Sequence, residues 1–523
     1  MARGEYVDTV GRVNPRTLRV RVSAAIAMAL ILGVVAVPAG TASAKTVKPT
    51  TVKPVKKKIR RPSTGIESDS YHFVRSATPV APAAVNWQPC FETLDCAIVR
   101  APLDYSDPRS ALIDISVVRH KASDPARRIG VMFVNPGGPG GPTSGLVRAA
   151  ARVFPAEMNA RFDIIGVDPR GTTNSTPVKC GGKLDAKRAD IDSIYESIAA
   201  LCAAQSGELL PFIDSVSAAR DLDWVRRSLG ETQVSYLGFS YGGYLGGVYA
   251  DLFPTTLRSV ILDSGLDNTV FGTQILADKA KSWERALRAF LAACSTGTLT
   301  PCAFNDGTDL VARYQSILAK FPDPHTLRNP SNSRQGIFEE TVLQLIEDQP
   351  KGWPALARQL AAAATATDPS RVMDASVTGG SGGDASSIFE AFLAYTCRDG
   401  QYTRDGAAQA ALGAQMLANA PLFPAAALST GSLTACRYWA APALSLPPIT
   451  PVTVTPVLVI GSTLDTLAPY EWSQSLAATT GGTLLTRLGP GHGAIPISAC
   501  VAAAAAVFMT DLVLPAAGTV CPS

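Results

Sequence analysis

The chain has 523 residues, 46% hydrophobic and 17% charged, the composition of an ordered globular protein with a substantial core. Its formal charge of +4 is uneven: residues 1–62 hold 13 of the 47 Lys+Arg and 2 of the 43 Asp+Glu, leaving 34 basic against 41 acidic residues, about −7, in the rest. A nucleic-acid-binding body is expected to be basic, which argues against that class.

The first predicted element is an export signal over residues 1–44. Arg12, Arg16, Arg19 and Arg21 form a charged start and AAIAMALILGVVAV an apolar centre. Ala42-Ser43-Ala44 then supplies the small-x-small pattern of a cleavage site. The apolar run is short for a membrane anchor. Residues 45–84 read as a linker or pro-segment, with Thr-Val-Lys-Pro occurring twice. Proline and like charge keep it extended, either as a plain spacer or in contact with an anionic cell envelope. The destination is therefore extracellular or envelope-associated. Ten cysteines fit an oxidising compartment. Taken as sequence neighbours they give five local disulfides, Cys90–Cys96, Cys180–Cys202, Cys294–Cys302, Cys397–Cys436 and Cys500–Cys521, although spacing alone leaves connectivity open. They form no paired CxxC knuckles, so no structural zinc is expected.

From about residue 85 short apolar runs end in Gly, Asp or Pro: IDISVVRH, GVMFVNPGG, FDIIGVDPRG, VSYLGFSYGG, SVILDSG and PVLVIGSTLD. Helical patterns such as SAARDLDWVRRSLG lie between some of them. Alternation of this kind predicts an α/β fold with a mostly parallel central sheet covered on both faces, its active site at the carboxyl ends of the strands. Residues 85–265 and 450–523 read as the two parts of this body. Residues 266–449 are Ala-rich and helical, and read as a lid inserted before the strand PVLVIG.

Gly238-Phe239-Ser240-Tyr241-Gly242 has the G-x-S-x-G pattern with a strand before and a helix after, which presents Ser240 as a nucleophile. A serine hydroxyl needs a base. Of His72, His120, His325 and His492, the last lies in LGPGHGAIP, where a loop after the final strand would place it. Asp465, ending PVLVIGSTLD, is the candidate for the acid that orients the base; Asp263, ending SVILD, is the runner-up. Asn135-Pro136-Gly137-Gly138-Pro139-Gly140-Gly141 leaves a backbone amide unobstructed, so the Gly138 and Tyr241 N–H groups are the candidate oxyanion donors. No G-K-[ST] follows to make this a phosphate loop.

With NPGGPGG, FDIIGVDPRG, ARDLDWVRRSLG, YLGFSYGGYLGGVYADLFP, VLVIGSTLDTLAPY, GPGHG and CVAAAAAVFMTDLVLPAAGTVC in order, the chain resembles the secreted actinobacterial α/β-hydrolases of the tripeptidyl aminopeptidase type, relatives of proline iminopeptidase. The resemblance implies an α/β-hydrolase fold, a Ser240–Asp465–His492 triad, no cofactor, and cleavage of short peptides from a free N-terminus. It departs from the family pattern at Pro142-Thr143, at Thr173 and Asn174, and at Ala468. Glu339, Glu340 and Glu390 of the lid are candidates to bind a substrate amine, against the plain alternative of a solvated helix face. A carboxylesterase or lipase acting on small or envelope esters would use the same triad. A non-catalytic envelope-binding protein, working through its basic segment, is the reading from a second class.

Overall fold

The computed structural model describes residues 71–523 apart from 182–190, 267–268, 271, 273, 327–332, 349–350, 374–384, 401, 403–404, 429–430, 445–448 and 453. The expected export signal and most of the linker fall outside these residues. The end of the predicted linker is already seated on the body. The Tyr71 hydroxyl donates to the Pro177 carbonyl at 2.8 Å, and Tyr71, Phe73, Val80 and Val85 pack against the main core.

Ten strands form one sheet: β1 Gln88–Cys90, β2 Leu94–Pro102, β3 Leu112–His120, β4 Gly130–Asn135, β5 Phe162–Val167, β6 Val234–Phe239, β7 Leu257–Asp263, β8 Val457–Ser462, β9 Thr483–Arg487 and β10 Val520–Cys521. Their order is β1-β2-β3-β5-β4-β6-β7-β8-β9-β10. From β5 across to β10 every pairing is parallel, while β1, β2 and β3 pair antiparallel at one side. Strand alternation assigns neighbouring residues to opposite faces. Val131 and Phe133 belong to one core cluster, Met132 and Val134 to another. Both faces are buried, which is why these strands read as continuous apolar runs.

The longer helices are α1 Ile191–Ser206, α2 Ser215–Ser228, α3 Tyr241–Leu252, α4 Gln274–Thr296, α5 Leu310–Leu318, α6 Arg334–Glu347, α7 Gly352–Thr365, α8 Ala385–Asp399, α9 Gly406–Asn419, α10 Gly431–Tyr438, α11 Tyr470–Thr480 and α12 Ala499–Asp511. Among the described residues, none is long and apolar enough to cross a membrane. Between β7 and β8 all described elements are helical. They divide between two cores. Helices α4 to α7 and α9 enclose their own apolar cluster around Phe290, Tyr314, Phe338 and Leu356, whereas Leu393, Tyr395 and Cys397 of α8 and Cys436 of α10 join the core of the sheet. The five neighbour pairings of cysteines are all present as disulfides.

Candidate active site

Ser240 sits between β6 and α3 at φ 58° and ψ −127°, a backbone region that costs on the order of 1–3 kcal/mol for a residue with a side chain. The turn is tight enough to select both flanking glycines. A Cβ on Gly238 would lie 2.0 Å from the Gly242 carbonyl oxygen, and one on Gly242 would lie 2.6 Å from that of Asn135. The Ser240 N–H donates to the Asp263 carbonyl at 2.9 Å, tying the turn to the neighbouring strand.

His492 lies in the loop after β9, with Nδ1 2.9 Å from Asp465 Oδ2 and 3.1 Å from Oδ1. Asp465 is itself fixed, since its Oδ1 accepts the Leu467 and Ala468 N–H groups, each at 2.8 Å. Burial alone would push the His492 imidazole down. The charge and hydrogen bond of Asp465, reinforced by Glu347 and Asp263, overcome this and hold it above its ordinary value. Nε2 is buried and has no hydrogen-bond partner among the described residues, which leaves it open to a proton from a nucleophile; such contacts are often loose before substrate binds. Asp263, the alternative acid, is engaged elsewhere. Its two oxygens accept the Ala494 and Ile495 N–H groups at 2.9 Å each, and Ser264 Oγ accepts the Gly493 N–H at 3.0 Å. Asp263 thus anchors the loop that carries His492. Burial pushes its carboxyl up to about 6.

The glycine-rich loop after β4 lies against Ser240. A Cβ on Gly137 would fall 2.8 Å from the Ser240 Cβ, and the Gly137 N–H is held by Asn135 Oδ1 at 2.8 Å. The loop ends on Thr143, one of the departures from the family pattern. Its N–H and hydroxyl both donate to Asp168 Oδ1 at 2.7 Å. Tyr241 opens α3, where helix geometry leaves an N–H without an intrahelical acceptor.

The three glutamates expected to bind an amine behave differently from one another. Glu339 is buried and accepts from Gln335 Nε2 at 2.8 Å and from the Ala425 and Ala426 N–H groups at 3.2 and 2.8 Å. It caps a short helix inside the insert, so its carboxylate is already engaged. Burial pushes Glu340 up to about 8, and its Oε1 has no hydrogen-bond partner among the described residues. Glu390 is half-buried on α8. None of the three lines the pocket beside Ser240. That pocket is walled by Pro139, Tyr241, Tyr244, Tyr395, Tyr402 and Asp399 among others.

Two acids escaped the sequence reading. Asp399 accepts from the Ser215 N–H at 3.0 Å and the Ser215 hydroxyl at 2.6 Å, and that hydroxyl is 2.5 Å from the Tyr241 hydroxyl. Burial, then the charge of Asp214, pushes Asp399 up to about 8. Glu347, at the end of α6, accepts the Thr466 N–H immediately after Asp465. The signal for both was an acid closing an otherwise apolar helical run, in FLAYTCRD and VLQLIE.

The chain is similar to several curated hydrolases. Serine protease Hip1 of Mycobacterium tuberculosis is 27% identical over 463 residues, covering 80% of this chain and 87% of its own. Carboxylesterase B of the same species is 30% identical over 485 residues, covering 84% and 90%. A tripeptidyl aminopeptidase of Streptomyces coelicolor is 36% identical over 217 residues, 36% of this chain and 39% of its own. A family model described as the alpha/beta hydrolase fold matches residues 130–496, from the strand before the glycine-rich loop to the loop bearing His492, and the chain belongs to that family as a serine hydrolase.

Proposed function

We propose that this serine hydrolase is an exported aminopeptidase that releases short peptides, of the tripeptidyl type, from free N-termini. Ser240 Oγ attacks the scissile carbonyl while His492 Nε2 takes its proton, and Asp465 steadies the imidazolium through Nδ1–H. The Gly138 and Tyr241 N–H groups receive the developing oxyanion. The proton passes to the leaving amine, and water, deprotonated by the same histidine, releases the acyl group from Ser240.

The observation that carries the peptidase reading is the Asp399 carboxyl in a tyrosine-rich pocket next to the nucleophile. A buried acid held neutral near pH 7 ionises when an ammonium group enters, because a cation within about 4–6 Å favours the charged form. The relatives named serine protease and tripeptidyl aminopeptidase support the same reading. The five disulfides and the basic, apolar start of the sequence support export. The largely apolar remainder of the pocket, together with the relative named carboxylesterase B, favours an esterase as the second reading.

Chromogenic tripeptide amides with free and acetylated N-termini, assayed beside short acyl esters, separate the two. An aminopeptidase cleaves the free-amine peptides alone among the peptides, and Ser240→Ala lowers kcat by roughly 10⁴-fold or more. Ester turnover without peptide turnover establishes the esterase.

A further inference from the structure

The turn carrying Asp465 is held from the helical insert. Ser282 Oγ on α4 donates to the Asp465 carbonyl. Its neighbour Trp283 donates through Nε1 to the Thr466 carbonyl at 3.0 Å, and Glu347 Oε1 on α6 accepts the Thr466 N–H. Three backbone groups around the acid are therefore satisfied by side chains of the insert.

Glu347 is the unusual member of this grip. Its Oε2 is enclosed and has no hydrogen-bond partner among the described residues. Asp465 and His492 act on it electrostatically, and Arg487 of β9 feels it together with Asp263 and Asp465. Lys279 of α4 feels the charge of Asp465, and Asp348 follows Glu347 on its own chain segment. Burial and the charge of Asp465 push the Glu347 carboxyl up to about 8, while His492 and the Thr466 N–H pull it down. An uncharged acceptor would serve the Thr466 N–H at less cost in a buried place. Held protonated near pH 7 by burial, the Glu347 carboxyl is such an acceptor.

We propose that Glu347 is a positioning residue of the triad, holding the Asp465 turn through the Thr466 N–H so that Asp465 meets His492 Nδ1. The inference rests on the triad reading given above. It makes the placement of Asp465 depend on α6 being in place, so the insert takes part in positioning the triad as well as covering the site.

Glu347→Gln and Glu347→Ala in the disulfide-intact protein test it, read by kcat/KM against pH with a short acyl ester and by fluorophosphonate labelling of Ser240. The glutamine keeps an acceptor for Thr466; the alanine loses it. Because the Glu347 carboxyl is already protonated below about pH 8, the acid limb is expected to stay put in the glutamine variant. Plateau kcat is expected to stay within about threefold for Gln and to fall about tenfold or more for Ala. Equal loss of plateau kcat in both variants overturns the proposal, as does an alanine variant that keeps its plateau kcat. A wild-type enzyme labelled elsewhere than Ser240 overturns the triad reading instead.

Discussion

At the scale of single residues, the site is built from close approaches that admit little substitution. Gly242 illustrates this: a methyl group there meets both the carbonyl and the side-chain oxygen of Asn135, at 2.6 and 2.8 Å. Those two oxygens belong to the segment leading into the glycine-rich loop, so relief of the clash displaces the candidate oxyanion donors. Gly242→Ala is expected to cost about 1–3 kcal/mol of stability and to lower kcat by about 100-fold, measured by denaturant unfolding and steady-state kinetics. Ser240, Asp465 and His492 were readable because each ends or follows an apolar strand with a turn residue beside it. Glu347 and Asp399 were not, because their meaning depends on which way a helix turns its face, and one acid at the end of VLQLIE looks like any solvated one. Glu339 misled for the same reason: the sequence contains no mark that its carboxylate caps a helix about 86 residues further along.

At the scale of elements, adjacent strands share the task of placing one catalytic group. The tip of β7 holds Ser240 through the Asp263 carbonyl and holds the loop after β9 through the Asp263 carboxyl. A single residue therefore sets the spacing between Ser240 and the loop that carries His492. Asp263→Ala leaves two buried N–H groups without acceptors, at about 1–3 kcal/mol each. It is expected to lower kcat by about 10- to 100-fold while Ser240 itself stays in its strained turn. Asp263→Asn, which retains an acceptor oxygen, is expected to lose less, by the same kinetics and unfolding curves. The strand ends were legible from composition. The sharing was not, because hydrogen bonds that cross from one loop to another leave no local pattern.

At the scale of the whole molecule, the helical insert is bolted to the body at α8 and α10. Cys397–Cys436 joins these helices across 39 residues, and both cysteines lie in the main core. Asp399, two residues after Cys397, stands in the pocket wall. Replacing the pair by alanine removes a loop constraint worth about 4 kcal/mol by chain entropy. A melting temperature lower by several degrees is expected, with KM for free-amine peptides raised more than kcat is lowered. The sequence reading took residues 266–449 as one lid. The division between two cores was hidden because Ala-rich amphipathic helices look alike whichever core they face.

The parallel centre of the sheet has a consequence for the order in which the enzyme comes into being. Ser240 belongs to the first half of the chain, but the strand on which Asp465 follows pairs with β7 across roughly 200 residues, and His492 comes later still. Contacts so distant in sequence form late and slowly. A growing or unfolded chain can form the Ser240 turn once β7 has paired with β6, but can bring Asp465 and His492 to it only after the final seventy or so residues have docked. With these three as the proposed triad, hydrolytic power is withheld from the nascent polypeptide until that docking, at whatever side of a membrane it takes place.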